Sequence, residues 1–275
     1  MQRFQPWLRR WELRPDGPAF ATRQSDFLPV VWRRRAAMLR ISFDPGKQTG
    51  ARVLTWWRGG GAADVLAIDG PALLMARGGR AEGLIWRAVQ DDEGTVRILC
   101  TLAARLHAPR GTERPAPGGI PGLAEHFRHL LSQRGRAKFP LAASHAEALL
   151  AEPDGPAQVL HGDLHHTTAL LFGPGDWRAI DPLGLVGERA FDYVPMLFQP
   201  DLADPSQEIA ANPATFRDRL ARVAAESGVE ADRLRRWAVA YGARVSLEEH
   251  ASNDPSRARA DVALRIAALA ADTAT

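Results

Sequence analysis

Two textures of apolar and polar positions follow one another along the chain. Up to residue 80, apolar residues come in short runs interrupted by turn signals, and 19–22, 30–32, 37–42 and 72–76 have the length and composition of strands. Residues 48–57 carry a helical pattern that Gly59-Gly60-Gly61 ends, and a further apolar run follows at 65–68. From about Glu93 the period lengthens, and helical patterns cover the stretch through Arg97-Ile98-Leu99-Cys100 to Leu106, then 123–133 and 142–150. Residues 109–121, rich in Pro and Gly, read as a loop. Three more helices are predicted over 213–227, 230–250 and 256–272, the second with Trp237 and Tyr241 at helical spacing. The pattern therefore predicts an α+β fold in two lobes, a small sheet-containing lobe over 1–75 and a mostly helical lobe over 76–275.

Composition narrows this picture. With 275 residues, 45% of them hydrophobic, the chain can bury a substantial core and is neither disordered nor fibrous. The formal net charge is +3 and the basic residues are dispersed, so no stripe or arm points to nucleic acid. The single cysteine, Cys100, cannot form an intrachain disulfide and reads as a buried helical thiol. Arg3, Arg9, Arg10 and Glu12 break up any signal-peptide core, and no apolar run approaches the roughly 20 residues of a membrane span. The expectation is a soluble, cytoplasmic protein without a membrane partner.

The densest chemistry lies in 159–197. His161-Gly162-Asp163-Leu164-His165-His166 follows the apolar pair Val159-Leu160, and Thr167-Thr168 leads into the short run Ala169-Leu170-Leu171-Phe172. Pro174-Gly175-Asp176 makes a turn, and Trp177-Arg178-Ala179-Ile180 forms a second predicted strand ending at Asp181-Pro182. Such a hairpin carries one aspartate before its first strand and another just after its second. Phosphoryl transfer from a nucleotide needs both functions that carboxylates provide: one to orient an acceptor hydroxyl and take its proton, one to hold magnesium against phosphates. The bland alternatives are a turn-capping Asp163 and a turn-forming Asp181-Pro182. A cluster of metal ligands from His161, Asp163, His165 and His166 is the competing chemistry, but the histidines at 107, 126, 129, 145 and 250 supply no second compact ligand signature.

The chain resembles the aminoglycoside and hydroxyurea antibiotic resistance kinases, streptomycin phosphotransferases among them. The resemblance spans nearly the full length. It is carried by Trp11-Glu12-Leu13-Arg14-Pro15-Asp16-Gly17, by Trp57 with Gly59-Gly60-Gly61-Ala62, by Leu73-Leu74-Met75, and by Arg105-Leu106-His107. The block His161 to His166, Ile180-Asp181-Pro182 and Phe191-Asp192-Tyr193 complete it. It implies a protein-kinase-like fold and an ATP- and Mg2+-dependent phosphotransferase for a hydroxyl of a small molecule, with a cationic acceptor such as the aminoglycoside streptomycin as one candidate. By carry-over, Asp163 is the catalytic aspartate, Asp181 the metal-binding aspartate and Asp192 a carboxylate bracing the catalytic loop, while Leu73, Leu74 and Met75 mark the hinge whose backbone, over 73–78, meets the adenine.

Three positions depart from the family pattern. Thr168 stands where an asparagine helps to hold magnesium, Arg40 stands where a lysine contacts phosphates, and Gly50 stands where an acidic residue steadies that lysine. A threonine hydroxyl ligates magnesium less firmly, and the planar guanidinium of Arg40 is not a point charge. No Gly-x-Gly-x-x-Gly loop occurs within 14–40. These departures keep open the alternative of a catalytically weakened kinase-like protein that binds a small molecule or a protein partner. Asp201, Asp204, Glu208, Glu248 and Glu249 are carboxylates that either face a cationic acceptor or form a solvated surface.

Overall fold

The computed structural model describes residues 1–80, 83–110, 115–133, 139–252 and 256–272. A short helix, α1 (Gln5–Arg10), precedes an antiparallel sheet in which β1 (Arg14–Pro15) and β2 (Phe20–Ala21) both pair with β3 (Asp26–Trp32). They are thus two halves of one interrupted edge strand, and residues 22–25 turn back from it, with the Thr22 N–H donating to the Ser25 carbonyl at 2.8 Å. The hairpin from β3 to β4 (Arg35–Ile41) turns through Arg33 and Arg34, both at positive φ, as a two-residue hairpin turn demands.

Helix α2 (Pro45–Trp57) starts on an Asp44 cap that accepts the Lys47 N–H at 3.0 Å. It is followed by β5 (Val65–Asp69) and β6 (Ala72–Ala76), giving the sheet order β1-β3-β4-β6-β5. Alternation along β6 divides the core. Ala72 and Leu74 pack with α1, β3 and β4 on one face, whereas Leu73 and Met75 join α2 in the large core that continues into the helical lobe. The two lobes are therefore fastened through α2, whose Val53, Leu54 and Trp57 are buried against the helical lobe's residues.

The helical lobe begins with α3 (Gly83–Gln90) and α4 (Asp92–His107), continues through α5 (Leu123–His126), α6 (Arg128–Leu131) and α7 (Pro140–Ala151), and closes with α8 (Pro213–Ser227), α9 (Ala231–Ala251) and α10 (Arg257–Asp272). Between α7 and α8 lie four short strands, β7 (Gln158–Leu160), β8 (Ala169–Leu171), β9 (Trp177–Ala179) and β10 (Leu185–Gly187), and two 3-10 turns, Arg189–Tyr193 and Pro195–Phe198. The β8–β9 hairpin forms as the sequence predicts, and β7 pairs with β10. α9 is buried along most of its length, with α7 and α10 beside it.

Several elements differ from the sequence reading, among them the short strands β1, β7 and β10, which it did not predict. α1 and α3 were not evident in the pattern; α3 buries only Leu84 and Ala88 and leaves Trp86 and Val89 exposed, so its apolar stripe faces no single core. The single helix expected over 123–133 breaks at Phe127, where the ring leaves helical register to pack between Phe191 and Trp237. Tertiary aromatic packing overrides local propensity there.

Candidate active site

The residues that hold the loop after β7 are buried and fully committed. Asp192, with no exposed surface, accepts the N–H of His161 at 2.9 Å, the N–H of Gly162 at 2.6 Å and the His107 Nε2 at 2.9 Å. One carboxylate thus fixes two consecutive loop amides, the bracing expected of it. Gly162 has a φ of 80°, and a β-carbon there would meet the Leu185 side chain at 2.8 Å, so the bend requires glycine. His161 Nε2 donates to the Ile180 carbonyl at 2.9 Å while Nδ1 accepts the Asp163 N–H at 3.2 Å, which joins the two aspartate-bearing segments and fixes the tautomer. Burial pushes the His161 imidazole down, keeping it neutral, and the Trp57 ring of α2 stacks over it at 6.2 Å. With both ring nitrogens spent on the backbone, His161 is not a metal ligand, and among the described residues no group of three His, Cys, Asp or Glu side chains converges on a metal position.

Asp163 projects from this loop with its side chain 34% exposed, and His165 Nε2 lies 3.5 Å from its Oδ1. Burial raises the Asp163 carboxyl, but His165, with smaller contributions from His161 and Lys47, outweighs it and holds the group below the usual carboxylate range. Thr168 is buried. Its hydroxyl donates to the Asp163 carbonyl at 2.8 Å and accepts the His165 N–H at 2.9 Å, lacing the loop shut from within. The sequence-based expectation of Thr168 as a magnesium ligand therefore does not fit these bonds. His166 is fully buried and pushed well below its ordinary value by burial.

Asp181 sits at the end of β9 in a left-handed conformation, φ 55°, a geometry that costs energy in any residue but glycine and is least costly for Asp and Asn. Two cations hold its carboxylate: Arg40 Nη1 on Oδ1 at 2.5 Å and Lys47 Nζ on Oδ2 at 2.7 Å. Arg40, from β4, is 2% exposed, and its Nη2 also donates to the Lys47 carbonyl at 2.9 Å. Gly50, one turn further along α2, could carry no acidic side chain: a β-carbon would stand 1.8 Å from the Pro182 carbonyl oxygen. The helix backbone itself abuts the Asp181-Pro182 segment there. Lys47 was not singled out from the sequence, although a signal existed: the chain has two lysines, Lys47 and Lys138, against 33 arginines.

Leu73, Leu74 and Met75 are placed differently from the expected adenine contact. They lie mid-strand in β6, paired with β4 on one side and β5 on the other, and are at most 4% exposed, so their backbone is committed to the sheet. The crossing between lobes comes just beyond, where the Gly79 N–H donates to the Leu171 carbonyl of β8 at 2.7 Å. On the acceptor side, the five proposed carboxylates all have partners. Asp201 accepts the N–H groups of Ile209, Ala210 and Ala211, Asp204 binds Ser206 and Gln207, and Glu208 pairs with Arg265. Glu248 pairs with Arg244 but stays 54% exposed, while Glu249 binds Arg259 and, across the lobes, Arg23 of the 22–25 turn at 3.4 Å.

A magnesium ion fits one of the two expected ligands. Asp181 offers a carboxylate, already held by two cations, whereas the Thr168 hydroxyl is engaged by the Asp163 carbonyl and the His165 N–H.

Residues 10–250 match the family described as aminoglycoside/hydroxyurea antibiotic resistance kinase. Over 239 residues the chain is 46% identical to streptomycin 3''-kinase of Klebsiella pneumoniae, covering 85% of this chain and 87% of that protein. It is 32% identical over 206 residues to streptomycin 6-kinase of Streptomyces glaucescens, covering 69% and 64% of the two chains. Its fold is similar, with a TM-score of 0.68 over the whole of both chains at 11% identity, to a thermostable mutant of aminoglycoside phosphotransferase APH(4)-Ia in a ternary complex with ADP and hygromycin B.

Proposed function

Because the chain belongs to the aminoglycoside/hydroxyurea antibiotic resistance kinase family and is an ATP-dependent phosphotransferase of a small-molecule hydroxyl, we propose that its acceptor is streptomycin or a close aminoglycoside relative and that Asp163 is its catalytic base. The observation that carries this reading is the Asp163 carboxylate, ionised and partly exposed on a loop immobilised by Asp192 and His161. An acceptor hydroxyl donates to that carboxylate and attacks the γ-phosphorus; the new O–P bond forms as the bond to the β-phosphate oxygen breaks, ADP leaves, and the proton passes late to Asp163. His165 keeps Asp163 ionised and oriented, acting as a positioning residue. Arg40 neutralises phosphate charge, and Asp181 would hold magnesium, which when bound supplies charge neutralisation between the phosphates.

The acceptor side supports a cationic molecule through Glu248. Its half-exposed carboxylate lies two turns beyond Tyr241 along α9, and the Tyr241 hydroxyl, pushed up by burial, is also raised by the Asp163 charge. The two relatives carry different positions, 3'' and 6, in their names, so the test must locate the phosphate on the product. Incubation with ATP, magnesium and streptomycin should add one phosphoryl mass to the antibiotic, and fragmentation should assign it to one hydroxyl. No mass change on streptomycin, with transfer to another hydroxyl compound, would reject the acceptor assignment alone.

A further inference from the structure

We propose that Lys47 is a second phosphate-binding cation of the nucleotide site, carrying part of the charge that a divalent ion would otherwise supply. The proposal rests on the kinase reading of the cleft. Three observations carry it. First, Asp181 is held by two cations, Arg40 at 2.5 Å and Lys47 at 2.7 Å, so in direct contact one carboxylate faces two positive charges. The nearest further carboxylate on the same segment, Asp44, is partly exposed and occupied as the helix cap. A buried excess of positive charge is costly unless an anion completes it. Second, Lys47 occupies the first turn of a 13-residue helix, where a cation opposes the helix dipole, so α2 gains nothing from it there. Third, the Lys47 ammonium is in direct contact with Asp181, the carboxylate that would hold magnesium against the phosphates, and its charge also lowers the Asp163 carboxyl.

The residue type agrees with this position. In a chain with 33 arginines and two lysines, the compact ammonium stands at this one site beside Asp181, where a point charge can touch a carboxylate and a phosphate oxygen together. Arg40 fixes it from behind by donating to the Lys47 carbonyl. When the nucleotide enters, Lys47 keeps its contact with Asp181 and adds one to a phosphate oxygen.

Titration calorimetry on the full-length protein tests this, with ATP and with inorganic tripolyphosphate as probes, each in EDTA and in magnesium. Wild type should bind both probes in EDTA, with ATP affinity within about tenfold of its value in magnesium. Lys47→Met, which keeps the buried stem, should lose about tenfold or more in EDTA, the worth of one charge-assisted contact, and lose less in magnesium. Lys47→Arg should retain part of the EDTA binding, and a thermal melt of each variant confirms folding. Wild-type binding that requires magnesium, or Lys47→Met binding in EDTA as tight as wild type, overturns the proposal while leaving the kinase reading intact. Absence of ATP binding under both conditions overturns the two together.

Discussion

At Asp163 two opposing effects act on one carboxylate: burial favours its protonated form, and the neighbouring His165, His161 and Lys47 favour the anion and prevail. The carboxylate is therefore ionised well into acid, and if it is the base as proposed, the acidic limb of a kcat profile should not come from this residue. Asp163→Asn should fold and bind nucleotide but lose roughly 10²–10⁴-fold in turnover, the range of general-base assistance, in steady-state assays with an identified acceptor. His165→Ala should cost less, since it leaves the carboxylate in place. Asp192 is a different kind of carboxylate. Asp192→Ala would strand two buried amides and the His107 ring, and urea unfolding should show a loss of about 3 kcal/mol or more. Retained stability would mean that the loop is held by His161 alone.

At the scale of elements, the contact between α2 and the Asp181 segment sets how Arg40, Lys47 and Asp181 come together. Gly50→Ala puts two effects in competition. Alanine is the better helix former by about 1 kcal/mol, but its β-carbon would need the space now held by the Pro182 carbonyl oxygen, 1.8 Å away. Overlap that deep cannot be relieved by a rotamer, so α2 must move off the segment. The variant should melt below wild type and bind ATP at least about tenfold more weakly, as overpacking of one to a few kcal/mol implies. An unchanged melt and affinity would show that α2 shifts freely against the helical lobe.

For the whole molecule, three buried neutral histidines link stability to acid. Burial lowers His161 and His166, and burial with the Arg244 charge lowers His126 to about 2. Below the unfolded value of about 6.5 the unfolded chain takes up protons that the folded chain refuses, so stability is fully present above that pH and falls as the pH drops. His126 alone removes about 1 kcal/mol between about pH 6.5 and about pH 5.5, and His161 and His166 act in the same direction. Urea midpoints across that window should fall accordingly, and His126→Phe, which keeps an aromatic ring against Phe127 and Phe191, should make the slope shallower. A flat midpoint would mean that these rings are protonated in the folded state. No described helix is long and apolar enough to cross a membrane.

The sequence by itself determined what depends on local pattern and on tightly spaced residue types. Strand and helix periods marked most of the sheet and the helices, and the block from His161 to Asp192 marked two candidate aspartates and a loop-bracing carboxylate flanking a hairpin that forms as read. Tertiary structure decided the rest, where partners are far apart in the chain or where a backbone's availability matters. Lys47 meets Asp181 across 134 positions, a distance over which no period carries information. Leu73 to Met75 read as a hinge, yet pairing on both sides takes up their backbone; Thr168 reads as a ligand, yet its hydroxyl is spent inside the loop. Gly50 reads as a missing acid until the Pro182 carbonyl shows that no side chain fits. Residue type can be read along a chain, but which hydrogen-bonding groups remain free, and how closely two backbones approach, are properties of the packed fold.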